Sequence, residues 1–279
     1  MSRPAASGPS IPSGAPGQGM QPEGLRAIDR ALPEEVPVAL VFDASTLAVM
    51  MASPGDIHDM AVGFALSEGI ITAPEEITGF EEAAHPQGIE ARLWLREDRA
   101  AALRDRRRFM AGPVGCGLCG IDSLEQAVRP VPAVTAPDLR LGRAEVAGAG
   151  AALAARQPLR ARTGATHAAG FLRPGAGIVA VREDVGRHNA LDKLFGALAR
   201  DGQDAGQGAV VMTSRLSVEL VQKCAMLGCP VLISVSAPTA AAQRLAEDRG
   251  ITLIGFARGG DFDIFAHPGR IETGGIDAG

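Results

Sequence analysis

Residues 209–256 read AVVMTSRLSVELVQKCAMLGCPVLISVSAPTAAAQRLAEDRGITLIGF. Three short apolar runs, Ala209–Met212, Pro230–Val235 and Ile251–Phe256, alternate with two stretches of helical periodicity, Leu216–Leu227 and Thr239–Asp248. Upstream, Gly177–Val181 reads as a further strand and Gly186–Ala199 as a helix. Short apolar strands separated by helices of about ten residues predict an α/β fold: a mixed, largely parallel sheet with helices packed on it. Thr239 is a candidate cap for the last of these helices.

Working outward, Ala144–Arg156 is an Ala-rich helix, so the C-terminal α/β domain is expected over 138–279. A smaller α+β unit is expected over 25–110. Its strands are Val36–Phe42 and Thr46–Met51, joined by a turn at Asp43–Ser45, and Ala91–Leu95. Pro54-Gly55-Asp56 opens a helix on which Ile57, Met60, Ala61, Phe64 and Ala65 share a face, with Gly69 as its stop. Glu97–Phe109 is a charged helix. Between the two units, residues 111–137 contain AGPVGCGLCG and a Pro-rich run, which predicts a mobile loop and linker. Residues 1–24 are rich in Pro, Gly and Ser and are expected to be disordered, because they bury too little apolar surface to offset ordering entropy.

Composition narrows the function classes. The chain has 279 residues, 46% hydrophobic and 21% charged, with a formal net charge of −5. That balance argues against a large basic face for a nucleic-acid duplex. No apolar run approaches the ~18 residues of a membrane span. Four cysteines (Cys116, Cys119, Cys224 and Cys229) are too few for a disulfide-stapled secreted scaffold, and residues 1–24 carry no signal-like apolar core, so a cytoplasmic protein is expected. Only Lys193 and Lys223 are lysines; the rest of the 27 basic residues are arginine. A base-composition bias explains that ratio, although both lysines fall in segments singled out below.

The sharpest chemical feature is Gly115-Cys116-Gly117-Leu118-Cys119-Gly120. Two thiols three positions apart among glycines can approach each other or swing outward. Such a pair can accept a sulfur atom as a persulfide and release it by exchange. The same motif fits half a zinc site, a thioredoxin-like dithiol or an ordinary surface loop. Zinc would need the other two thiols, but Cys224 and Cys229 read as small core hydrophobes. The thioredoxin placement, between a strand and a helix of a βαβ unit, is absent. A nucleobase deaminase needs His-x-Glu, and neither His58, His85 nor His167 has a Glu two residues on.

The strand ends form the second feature. Val181–Leu194 (VREDVGRHNALDKL) places Arg182, Arg187, His188 and a possible capping Asp184 where a strand gives way to a helix. Thr213-Ser214-Arg215, Ser234–Thr239 and Gly255–Asp261 repeat that arrangement, the last with a Gly-rich turn and an arginine suited to phosphate or a polar purine edge. Polar ends of strands in one sheet converge on one rim, the place where open α/β sheets bind ligands.

Together, EEVPVALVF, SPGDIHDMAVGFALSEGII, GCGLCG, THAAGF, REDVGRHNALDKL and TLIGFARGGDFDIFAHPGR, in that order, resemble the formate dehydrogenase accessory sulfurtransferase family, FdhD, from about Glu34 to Arg270. The resemblance implies a sulfurtransferase that takes sulfur from a cysteine desulfurase as a persulfide on Cys116, with Cys119 as the second cysteine. It implies delivery to the molybdenum of bis(molybdopterin guanine dinucleotide), bound as a substrate, for the formate dehydrogenase catalytic subunit. The nucleotide end would sit on Phe256, Ala257, Arg258, Gly259, Gly260 and Asp261. A C-terminal half resembling cytidine deaminase without its zinc, no intrinsic metal and a homodimer are further implications. Many relatives have a basic residue where this chain has Asp261, which leaves that position's role open. Arg182, Arg187 and His188 are secondary candidates for lowering a thiol pKa or orienting the cofactor. Two alternatives are a chaperone that binds the cofactor without sulfur chemistry and a structural zinc protein.

Overall fold

A computed structural model of the chain describes residues 13–109, 130–136 and 138–272. The segment holding Cys116 and Cys119 lies outside the described residues.

The smaller unit is a four-stranded sheet carrying a helix. Strands β3 (Val36–Phe42) and β4 (Ser45–Ala52) form a hairpin whose tip residues, Asp43 and Ala44, both have positive φ. That is the twist a two-residue hairpin demands, and Asp43 Oδ1 holds it by accepting from Leu95 N at 3.1 Å. Strands β5 (Ile77–His85) and β6 (Gly88–Leu95) form a second hairpin, and the sheet order is β4-β3-β6-β5. Helix α1 (Ile57–Ser67) lays Met60, Ala61 and Ala65 on Val38, Leu40, Phe42 and Leu93. The charged helix α2 (Glu97–Phe109) follows β6.

The larger sheet has six strands: β8 (His167–Arg173), β9 (Gly177–Asp184), β10 (Ala209–Met212), β11 (Val231–Ser234), β12 (Thr252–Arg258) and β13 (Asp261–Ala266). They lie in the order β13-β12-β11-β10-β8-β9. Helix α3 (Arg143–Ala154) covers one face through Val146, Ala149 and Leu153, followed by the short α4 (Pro158–Thr163). On the other face lie α5 (Arg187–Arg200), α6 (Val218–Met226) and α7 (Ala240–Arg249). Cys224 and Cys229 are buried in that second core, the packing role expected of them. Thr239 Oγ1 accepts from Ala242 N and so caps α7 as expected.

Two expectations need correction. The sheet is mixed but not largely parallel: only β10–β11 and β11–β12 are parallel pairings, while β12–β13, β10–β8 and β8–β9 are antiparallel. Strands β8 and β13 supply the antiparallel character. The first is Ala- and Gly-rich, a weak strand signal, and the second follows a Gly-rich turn. Residues 13–24 are not without structure either. Strand β1 (Ser13–Gln21) pairs antiparallel with β2 (Gly24–Leu32). Composition speaks of side-chain burial, whereas this ribbon is held by a backbone ladder, and Met20, Leu25 and Leu32 remain exposed on it. Within the expected linker, Val131 and Val134 are buried, and Val134 N donates to Arg249 O at the end of α7.

The two units meet along α1 and α5. A Cβ on Gly63 would sit 1.8 Å from Asp192 O, and one on Gly196 would sit 1.8 Å from Asp59 O. The helices therefore touch backbone to backbone, which only glycine permits. The final strand β14 (Ile271–Glu272) pairs with β7 (Leu141–Gly142), just before α3.

Candidate functional site

Strand direction builds the site. Strands β10, β11 and β12 run parallel, and β9 runs the same way because β8 is antiparallel to both β9 and β10. Four carboxyl ends therefore open on one rim, joined by the amino ends of β8 and β13. Hydrogen bonds lace the rim together. Val235 N donates to Met212 O, Ser234 Oγ to Ser214 O, Leu216 N to Ala237 O and Phe256 N to Ser236 O. Thr213 Oγ1 accepts from Ala168 N at 2.9 Å, tying β8 in.

At one end lies the β12–β13 hairpin. Arg258 pairs with Asp261 across a turn in which Gly259 and Gly260 have φ of 67° and 93°. Ala257 is buried, whereas Arg258, Gly259, Gly260 and Asp261 are exposed. Phe256 is exposed too, and its φ is 54°. Asp261 Oδ1 lies 3.8 Å from Arg143 Nη2, at the first residue of α3. Sequence reasoning missed this arginine, because nothing local links position 143 to position 261.

At the other end is the Val181–Leu194 segment. Asp184 is not a side-chain cap. It is fully buried, and its Oδ2 meets Lys193 Nζ at 2.7 Å and Ser53 N at 3.0 Å. Its Oδ1 accepts from Gly186 N and from Asn189 Nδ2. Lys193 also donates to Ser53 O, and Asn189 to Met51 O, so this node ties the rim to the smaller unit. Arg182 has the same employment: its Nε and Nη2 reach Asp59 Oδ2 at 2.8 and 2.7 Å, and Asp56 lies 3.6 Å away. Arg200 grips the other oxygen of Asp59. Deeper along the joint, Lys223 Nζ contacts both oxygens of Asp192, at 2.9 and 3.0 Å, and Ser67 Oγ donates to Asp192 at 2.7 Å. Burial pushes the Asp192 carboxyl up, against the pull of Lys223.

Arg187 and His188 occupy the first turn of α5. Burial and the Arg187 guanidinium hold the His188 imidazole down at about 4. It is therefore neutral near pH 7 and brings no positive charge to the rim. The buried Arg187 Nε and His188 Nε2 have no hydrogen-bond partner among the described residues. Three strands separate this end from the Phe256–Asp261 loop, a span of about 19 Å at the usual strand spacing. A hollow of ≈ 220 Å³ opens beside β9, walled by Asp56, Arg156, Arg182 and Glu183.

The comparisons with known proteins bear on this arrangement. The sequence pattern of the FdhD/NarQ family matches residues 33–272. The chain belongs to the FdhD/NarQ family. A relative from Agrobacterium fabrum, named sulfur carrier protein FdhD, is 54% identical over 243 residues, covering 87% of this chain and 90% of the relative. One of the same name from Cupriavidus necator is 50% identical and covers 86% of this chain and 83% of its own. The crystal structure of a proposed formate dehydrogenase accessory protein from Desulfotalea psychrophila superposes with a TM-score of 0.74 at 26% identity. That match covers 94% of this chain and all of the other. The mixed α/β fold is thus that of an FdhD-like protein. No described helix is long and apolar enough to cross a membrane.

Proposed function

We propose that this chain is a sulfur carrier serving formate dehydrogenase, with Cys116 as the carrying thiol. The observation that supports it most is the extent of the family match: FdhD/NarQ relatives named sulfur carriers share about half their residues with it over nearly their whole length. The glycine-flanked pair Cys116 and Cys119 supplies the chemistry such a carrier needs. The Cys116 thiolate attacks the outer sulfur of a persulfide on a cysteine desulfurase. The S–S bond of the donor breaks, its thiolate leaves, and Cys116 holds the sulfur as its own persulfide. Cys119 then attacks Cys116 Sγ, forming a disulfide and expelling hydrosulfide; the thiol pair gives up two electrons and the outer sulfur gains them. The acceptor is the molybdenum of bis(molybdopterin guanine dinucleotide), a bound substrate, with its nucleotide end on Phe256–Asp261. A cellular thiol reduces the disulfide for the next round. A cytoplasmic homodimer is part of the reading.

Incubation with a cysteine desulfurase and ³⁵S-cysteine tests it. The wild type gains label on Cys116, Cys116→Ala gains none, and Cys119→Ser loads normally but releases slowly. Loading that persists in Cys116→Ala removes the carrier role. Active formate dehydrogenase produced with Cys116→Ala would instead indicate a chaperone that delivers the cofactor without sulfur chemistry.

A further inference from the structure

We propose that Cys224 and Cys229 form a second redox-active thiol pair, which hydrogen peroxide closes into a disulfide across the end of α6. The four cysteines of the chain fall in two close pairs, and the sulfur-carrier reading uses only Cys116 and Cys119. The second pair lies against Val210 and Val231, near the amino ends of β10 and β11, on the opposite edge of the sheet from the rim.

The way α6 ends brings the two sulfurs together. Gly228 has a φ of 67°, its N–H donates to Ala225 O at 3.1 Å, and Cys229 N donates to Cys224 O at 2.9 Å. Those two bonds across a left-handed glycine make a Schellman end, in which the side chains at the positions of Cys224 and Cys229 meet. Cys224 Sγ donates to Cys229 Sγ, and Cys229 Sγ in turn reaches Val231 O at 3.4 Å. The hydrogen bond from Cys224 pulls the Cys229 thiol below the ordinary cysteine value, whereas burial and the neighbouring Cys229 push Cys224 above it. The pair is therefore unequal, with Cys229 as the nucleophile and Cys224 as the resolving thiol.

Both side chains are fully buried, so the oxidant has to be small. Met226, Leu227 and Gly228 between them are only half-buried, and a brief opening of this one turn admits a molecule the size of hydrogen peroxide. The Cys229 thiolate attacks one peroxide oxygen and the O–O bond breaks. The departing hydroxide takes up the proton that Cys229 lost, which leaves water and a sulfenic acid on Cys229. Cys224 then attacks Cys229 Sγ, the S–S bond forms, and the hydroxyl leaves as a second water with the Cys224 proton. The two sulfurs give up two electrons and the peroxide gains them. The consequence falls on the residue next door. Lys223 sits in the same last turn of α6 and holds Asp192 and Ser67 at the joint between the two units, at 2.9 and 2.8 Å. A covalent link from Cys224 to Cys229 stops that turn from unwinding and so fixes Lys223 in the joint.

Hydrogen peroxide treatment of the folded full chain carrying Cys116→Ser and Cys119→Ser tests this, followed by alkylation in denaturant, tryptic digestion and mass spectrometry. Cleavage after Lys223 and Arg244 puts both thiols in one peptide. After peroxide that peptide escapes alkylation and is about 2 Da lighter, and dithiothreitol restores both thiols. The oxidised chain melts about 5 °C higher, and amide exchange at residues 223–229 slows about tenfold. With Cys224→Ala added, a sulfenic acid persists on Cys229 and is trapped by dimedone; with Cys229→Ala added, Cys224 stays unmodified. Two alkylated thiols after peroxide overturn the proposal, as does a sulfinic acid at either cysteine without the S–S link. Dimedone on Cys224 and not on Cys229 overturns the roles assigned to the two sulfurs. Unchanged exchange at residues 223–229 in the oxidised chain overturns the effect on the joint.

Discussion

Lys193 Nζ lies 2.7 Å from Asp184 Oδ2, and both side chains are closed off from solvent. The lysine also reaches Ser53 O, and the aspartate takes the Ser53 backbone N–H, so one ion pair holds strand β9, helix α5 and the residues before α1 together. A buried charge is tolerated only when its partner is present. Asp184→Asn and Lys193→Met each leave an uncompensated group and should lower the unfolding free energy by about 3–5 kcal/mol. The double replacement Asp184→Leu with Lys193→Met should recover part of that loss, because no buried charge remains. Urea denaturation of the three variants checks this. A double variant as unstable as the sum of the singles would show that geometry, and not charge compensation, governs the site.

The backbone contact between α1 and α5 makes a second prediction. A methyl group on Gly63 would fall 1.8 Å from Asp192 O, a distance that no side-chain rotation relieves. Gly63→Ala must push the helices apart and loosen the Asp192–Lys223 and Asp59–Arg182 pairs that flank the crossing. A loss of about 3 kcal/mol is expected, with faster proteolysis at the joint. Alanine at Gly148, whose Cβ position is open, is the matched control and should change stability little.

These joints explain what could be read from the residues alone. Strands β10, β11 and β12 were legible because they sit mid-sheet and each carries an unbroken apolar run, and the rim followed from the polar residues at their ends. Strand β13 alternates Phe262, Ile264 and Ala266 with Asp263 and Phe265, but its opening Asp261 looked like the tail of a turn. The polar nodes were not legible for a different reason. Ser53 and Lys193 are 140 residues apart, and Ser67 and Asp192 are 125 apart, so no local pattern couples them. The one available signal was compositional. In a chain that uses arginine almost everywhere, both lysines are buried and ion-paired, the setting in which a compact ammonium with three donors serves. The pair Cys116 and Cys119 was legible as a motif, yet its position relative to the rim depends on residues outside those described.

Acid stability should depend on His188. Its folded-state pKa of about 4 lies below the ordinary 6.5, through burial and Arg187. Between those values the unfolded chain binds a proton that the folded chain refuses. The stabilisation is therefore full above pH 6.5 and is lost as the pH falls toward 4, by about 2 kcal/mol once partial exposure is allowed for. His58, also held at about 4 by burial and Arg200, and His167, lowered by burial and Arg187, act in the same sense. His188→Gln should flatten the acid limb of a urea-midpoint series from pH 7.5 to 4.5 without abolishing it. An unchanged slope would assign the limb to the other two histidines.

Asp261 governs the charge of the rim loop. It stands 3.8 Å from Arg143 and across the turn from Arg258, so its carboxylate screens both cations from an approaching anion. Both side chains of the Arg143–Asp261 pair are largely exposed, and the pair itself adds little to stability. Its effect on a ligand is larger, since an anion entering the loop meets a negative charge first. Asp261→Asn should tighten pyrophosphate binding about threefold at low salt, with the gain shrinking as ionic strength approaches 0.5 M. The thermal midpoint should stay within a degree or so of the wild type. If guanine is instead read through this carboxylate, the same substitution weakens GDP while tightening pyrophosphate. The ratio of the two affinities separates screening from base recognition in a single titration series.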